Sequence, residues 1–384
     1  MTAQLLYGGD VLTPAERLHG HGVLIESGRI SAVLPLADAP MVTRVALPAD
    51  SLIAPGYIDV QVNGGGGVQF NDDPSAAAAL AIAAAHRRLG TLAIMPTLIT
   101  SPPEALRAAC ASVHAAVAAD SGVMGIHIEG PFLSPNRPGV HRRDLIRHPN
   151  DGDIDLLTAL AASLRGPVIL TLAPEMVPAA TLENLAAAGI ILCAGHSEAP
   201  FELVATPLRG ITHIFNAMPP LSARAPGVAA AGMLGDLYTG LILDGVHVHP
   251  AMAKLLLAVR GANRVMLVSD AMSVTGTQAD AFMLLGQRIL RSNGRLETDA
   301  GILAGADICL AQAVRNAVEM LDLDTATAIG MASAVPAAFL GLSHERGSIA
   351  PGLRADLVLL GPKLDVMGSW LGGVWQDEAG VGLT

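Results

Sequence analysis

Glu129, His196, His213 and Asp270 have the side-chain types of a metal-assisted acid–base site, and each ends a short apolar run. Val123, Ile126 and Ile128 lead to Glu129, and Gly130-Pro131 stop that run at once. Ile190 to Ala194 leads through Gly195 to His196, Gly210-Ile211-Thr212 leads to His213, and Val265 to Ser269 leads to Asp270. A carboxylate at the end of a buried strand is unfavourable unless it is paired or bound to a metal. Two imidazoles and one carboxylate make a catalytic zinc-type ligand set with room for water or substrate. A metal held there lowers the pKa of its water and polarises a carbonyl. Asp270 can take a proton from that water and pass it to a leaving nitrogen. A single histidine at a strand end is more often a hydrogen-bonded structural group. The weight lies in three such residues on the tips of one fold.

The elements that must position these residues alternate strand and helix. Eight apolar runs read as strands: 52–62, 91–98, 123–129, 168–172, 190–194, 211–215, 239–243 and 264–269. Alanine-rich stretches at 75–89, 103–119, 154–164 and 179–188 suit the helices between them. Eight parallel strands with crossover helices predict an α/β fold, a (β/α)8 TIM-like barrel, whose reactive residues sit at the carboxyl ends of the strands. Further polar tips are Asp59, Gln61 and Asn63 on the first strand and Glu175 on the fourth. His247 follows the seventh strand, and His141 lies in the long loop after the third. A doubly wound open sheet is the alternative, but the glycine run 64–67 continues as loop and does not open a helix as a dinucleotide fingerprint requires. Short strands and turns at both ends predict a small β-sandwich domain from residues 1–52 and 347–384, leaving 53–346 for the barrel. After the eighth strand, 283–299 reads as a hairpin, and 306–320 and 325–340 as helices.

Of 384 residues, 51% are apolar and 15% charged, which describes a well-buried globular chain. The formal charge of −11 argues against non-specific nucleic-acid binding but leaves room for an anionic small substrate held by a local cation. Cys110, Cys193 and Cys309 are scattered and odd in number, so they indicate buried thiols rather than a disulfide framework or thiolate zinc site. No leader-like start and no uninterrupted membrane-length apolar run is present, so the expectation is a cytoplasmic protein without membrane contact.

The segment 54–59 (APGYID), the two-ended β domain and the closing 347–356 (GSIAPGLRAD) resemble the amidohydrolase superfamily. Within it, 125–133 (GIHIEGPFL), 194–198 (AGHSE), 212–219 (THIFNAMP) and 269–272 (SDAM) resemble the N-acetylglucosamine-6-phosphate deacetylases, in order along nearly the whole chain. The resemblance implies hydrolysis of the acetamide of a phosphorylated amino sugar. It implies Glu129, His196 and His213 as metal ligands, Asp270 as general acid/base and His141 on the acetyl carbonyl. It further implies Asn216, Ala217 and His247 as substrate contacts, and Arg224 on the phosphate from a neighbouring subunit of a homodimer. A lone loop arginine such as Arg224 is otherwise as readily a solvated side chain.

Many superfamily members hold two metals with a His-x-His pair on the first strand and a carboxylated lysine. Here Gln61 and Asn63 stand at the pair, and the chain's lysines, Lys254 and Lys363, lie off the strand tips. Amides are poor ligands for a second divalent ion, so the expectation is one metal per subunit: zinc first, with iron, cobalt or manganese as alternatives. Ala306 stands where the family commonly has serine. The galactosamine epimer, another mononuclear amidohydrolase such as a cyclic amidase or aminoacylase, and a non-catalytic scaffold are the rival readings. The scaffold predicts loss of a ligand or of the aspartate, and all four residues are present.

Overall fold

The computed structural model describes residues 3–376. Its centre is an eight-stranded parallel sheet in sequential order. The strands are β1 (Tyr57–Val62), β2 (Thr91–Ile99), β3 (Ile126–Glu129), β4 (Val168–Leu172), β5 (Ile191–Ala194), β6 (Gly210–Ile211), β7 (Tyr238–Leu241) and β8 (Val265–Leu267). A bridge from Val62 to Ala271 joins the two end strands, and the Asp270 N–H donates to the Gln61 carbonyl at 3.0 Å, so the sheet curls into the expected barrel. Parallel strands covered on both faces should be apolar throughout. All nine residues of β2 and all four of β3 are buried accordingly.

The helices cover the barrel with small residues. In α1 (Ala76–Arg87), Ala78, Ala79, Ile82 and Ala83 are buried, and Ser75 caps the helix by accepting the Ala78 N–H. The helices α2 (Pro103–Ala119), α3 (Asp151–Ser163) and α4 (Ala179–Ala187) follow their strands as expected. Alanine's short side chain lets these helices lie close to the sheet, consistent with a chain so poor in aromatics.

Two further sheets form the β-sandwich, built from both chain ends. One contains Gln4–Tyr7, His21–Glu26, Arg29–Pro35 and Thr43–Ala46; the other runs from Val374–Gln376 through Val366–Leu371, Leu357–Leu360, Leu52–Pro55 and Asp10–Leu12 to Arg17–Leu18. Leu6, Val23, Ile25, Ile53, Leu357 and Trp370 fill the space between them.

Several elements differ from expectation. The run 52–62 is two strands, because Gly56 breaks it: Leu52–Pro55 pairs with Leu357–Leu360 in the sandwich, and only Tyr57–Val62 enters the barrel. The run 211–215 is strand only through Ile211, since His213 and Phe215 have φ of 29° and 72°, which no ladder accommodates. Residues 281–298 form three antiparallel strands rather than one hairpin. The helix expected at 306 begins at Leu310, and 325–340 divides into Thr325–Met331 and Ala334–Leu340.

Gly125 enters β3 against the chain entering β4. A Cβ there would lie 2.0 Å from the Pro167 carbonyl oxygen, a backbone atom that cannot rotate aside. Gly125→Ala should therefore destabilise the fold by about 1–3 kcal/mol. A lowered denaturant midpoint would show this, and an unchanged midpoint would mean that the approach of the two strands is loose.

Candidate active site

The strand ends bring Glu129, His196, His213 and Asp270 to one mouth of the barrel, where they line a cavity of about 540 Å³. Glu129 Oε1 lies 3.0 Å from His213 Nε2 and 3.2 Å from His196 Nε2, and the two imidazole nitrogens are 3.2 Å apart. All three side chains are buried. His141 joins this group from its loop: one donor atom each from Glu129, His141 and His196 lies within 4.8 Å of the others.

Proton bookkeeping calls for a proton or a cation at this convergence. His196 Nδ1 is 2.8 Å from the Arg137 carbonyl oxygen, which only accepts. That nitrogen must carry the proton, so Nε2 of a neutral ring presents a lone pair to the carboxylate. Two acceptors face each other at 3.2 Å, which is favourable only with a proton or metal ion between them. Burial alone would raise the Glu129 carboxyl, but the bonds and charges of His196 and His213 hold it well below the usual range. Burial alone would lower the His213 imidazole, yet Glu129 outweighs it and holds His213 above its ordinary value. The two shifts are one Glu–His attraction seen from its two ends. The donor set, two imidazoles and a carboxylate, fits a divalent metal of the zinc type.

Asp270 sits beside this group under two amides. Asn63 Nδ2 donates to its Oδ1 at 2.6 Å, and Gln61 Nε2 donates to the same oxygen and to Glu129 Oε2, each at 3.2 Å. Burial and the nearby charge of Glu129 push the Asp270 carboxyl up to about 6. Gln61 and Asn63 thus serve as donors that hold two carboxylates. Asp59, one layer deeper, accepts the Ser269 and Gln61 N–H groups, and burial pushes it up to about 7.

His141 is fixed by Thr100. The Thr100 N–H donates to His141 Nδ1 at 3.3 Å and the Thr100 hydroxyl lies 2.8 Å from the same nitrogen; with Nδ1 accepting, the ring's proton is on Nε2. Burial, then the charge of His196, lowers its pKa to about 3, which leaves a neutral N–H donor in the cavity wall. His196, His213 and Asp270 all have left-handed backbone, with φ of 49°, 29° and 50°. Such residues cost on the order of 1–3 kcal/mol each and persist where surrounding structure holds them. Here the turn swings each side chain off its strand and over the mouth.

Asn216, Ala217 and His247 line the same cavity. Asn216 Nδ2 donates to the carbonyls of His213 and Ile214, and His247 Nδ1 donates to Asp244 Oδ2 at 2.6 Å. Arg224 does not: it is exposed on a loop and is not in the cavity wall of its own chain. Glu175 accepts the Ser197 hydroxyl at 2.7 Å and the Glu198 N–H at 2.6 Å, so it secures the loop after β5. Ala306 donates its N–H to the Asp270 carbonyl at 3.0 Å, a contact that needs no hydroxyl. Sequence reasoning missed Thr100, Arg143 and Arg295. Arg143 and Arg295 line the cavity wall, Arg295 paired with Glu297, and the sequence gives no local sign of either.

The amidohydrolase family matches residues 52–375. The chain is 37% identical to the N-acetylgalactosamine-6-phosphate deacetylase of Shewanella sp. (strain ANA-3), over 89% of this chain and 87% of the relative. It is 31% identical to the N-acetylglucosamine-6-phosphate deacetylase of Haemophilus influenzae, over 96% and 98%. The crystal structure of N-acetylglucosamine-6-phosphate deacetylase from Pasteurella multocida superposes with a TM-score of 0.93 at 31% identity, over 97% of this chain and 99% of that one. With its barrel, its β-sandwich and its strand-end site, the chain belongs to the amidohydrolase family.

Proposed function

We propose that the chain hydrolyses the acetamide of N-acetylglucosamine 6-phosphate to acetate and glucosamine 6-phosphate. The observation that carries this reading is the convergence of Glu129, His196 and His213 within 3.0–3.2 Å beside Asp270. Glu129, His196 and His213 would hold one divalent metal, zinc first among the candidates. When bound, such a metal polarises the amide carbonyl and lowers the pKa of water.

The chain's own residues supply the rest. His141 presents a neutral N–H for the carbonyl oxygen, where negative charge develops as water adds. Asp270 takes the proton from that water and delivers it to the nitrogen as the C–N bond breaks. Gln61 and Asn63 aim the Asp270 carboxylate through their amide donors. Asn216, Ala217 and His247 line the wall where the sugar would lie. Phosphate binding remote from the amide orients it for attack.

In the same reading the enzyme is a cytoplasmic homodimer, with Arg224 reaching the phosphate of the neighbouring subunit. The exposure of Arg224 outside its own cavity supports that direction. Among the described residues, no helix is long and apolar enough to cross a membrane. We assign residues 1–52 and 347–384 to the β domain and 53–346 to the barrel, with strand Leu52–Pro55 straddling the seam; residues 1–2 and 377–384 lie outside the described part. The similarity to the Shewanella sp. enzyme favours a second reading, in which the substrate is the galactosamine epimer.

Acetate release from both sugar phosphates and from unphosphorylated N-acetylglucosamine, with metal content on the same sample, tests the assignment. We expect fast release from a phosphorylated sugar only, about one metal per chain, and loss of activity on chelation that added metal restores. Preference for the galactosamine epimer would establish the second reading; no release from metal-loaded protein would sink both. Asp270→Asn should lower kcat by about 10²–10⁴-fold while metal content stays at the wild-type level. Unchanged turnover would remove Asp270 from proton transfer. Arg224→Ala should raise KM for the sugar phosphate by about tenfold or more, as loss of a charge-assisted contact predicts, and leave the unphosphorylated sugar unaffected. An equal change for both would take Arg224 off the phosphate.

A further inference from the structure

Beneath the strand-end site, buried hydrogen bonds join four strands across the barrel interior. His127 lies two residues before Glu129 on β3, so both side chains project to the same side of the strand. Its Nδ1 is 2.9 Å from the Val60 carbonyl oxygen, which only accepts, so Nδ1 carries the proton. With a neutral ring, Nε2 then accepts from Thr171 Oγ1 at 2.7 Å. Thr171 has one hydroxyl proton, so Thr212 Oγ1, 2.6 Å away, donates to Thr171. The chain runs one way, Thr212 to Thr171 to His127 to Val60. Its three side chains belong to residues no more than 5% exposed.

Each link adjoins a residue of the site. Val60 precedes Gln61 on β1, and Thr212 precedes His213 after β6. Thr171 stands in register with Glu129, and its carbonyl accepts the Gly130 N–H at 2.9 Å. The sheet ladder spaces neighbouring strands, but Glu129 and His213 come from strands three apart, whose separation no single ladder sets. Polar side chains in a barrel interior are unfavourable unless fully paired, and aliphatic residues would fill the same space.

We infer that Thr171, with His127 and Thr212, is a positioning residue for the metal centre, holding the Glu129 strand and the His213 strand at the separation the ligands need. The inference rests on Glu129, His196 and His213 being the metal ligands.

The test measures Zn²⁺ affinity of the full chain by chelator competition for wild type, Thr171→Val and Thr171→Ser, with melting of the metal-free proteins alongside. Valine keeps the shape and removes the hydroxyl; serine keeps the hydroxyl and removes a methyl. We expect Thr171→Val to bind Zn²⁺ about 10–100-fold more weakly, and Thr171→Ser to stay within about threefold of wild type. A packing role predicts the reverse order, so Thr171→Val binding like wild type, or Thr171→Ser binding as weakly as Thr171→Val, overturns the proposal. If metal-free Thr171→Val does not fold, Thr212→Val and Thr212→Ser take its place with the same expected order. A wild type that binds no Zn²⁺ overturns the ligand assignment, and the positioning role with it; a wild type that binds beside an equally tight Thr171→Val overturns the positioning role alone.

Discussion

The Glu129 carboxylate, taken out of water and set against two imidazoles, is the constraint on which the other features of the site depend. Burial by itself would neutralise it, and the two histidines reverse that outcome. Because the lone pair of His196 faces the carboxylate, the group is stable only with a proton or a metal ion between them. The neighbouring Asp270 feels the same negative charge and is pushed the other way. Two carboxylates in one cavity are thereby pushed in opposite directions, one held ionised and the other raised, a difference set by environment rather than residue type.

The barrel makes this arrangement possible by bringing four distant strand ends to one mouth. It does so with backbone that leaves the ladder abruptly. Left-handed conformations at His196, His213 and Asp270 shorten the strands and turn the side chains inward. The rigidity needed to hold them comes from the buried layers beneath, where most strand residues are apolar and polar ones such as His127, Thr171 and Thr239 are hydrogen-bonded.

Much of this was legible in the sequence. Apolar runs that end in Glu, His, His and Asp identify strand tips, because a strand's burial pattern is local. The eight-strand count and the two-ended β-sandwich follow from the same local grammar. What was hidden depends on lateral neighbours. Nothing in 52–62 announces that its first half pairs with Leu357–Leu360, because either sheet would accept those apolar side chains. Gln61 and Asn63 read as missing metal ligands, and their donation to Asp270 emerges only when β1 meets β8. Thr100 is an ordinary residue after a strand until the loop of His141 folds over it. Arg224 lies outside the cavity wall of its own chain, and no local pattern in the sequence says so.

The bond from His196 to the Arg137 carbonyl makes His196 and His141 dependents of one loop. Three residues separate Arg137 from His141, and both ends of that interval are tied down, one by His196 and the other by Thr100. Exchanging this loop therefore disturbs two groups together: a graft that shifts the interval by one residue frees the His196 tautomer while it moves His141 off Thr100.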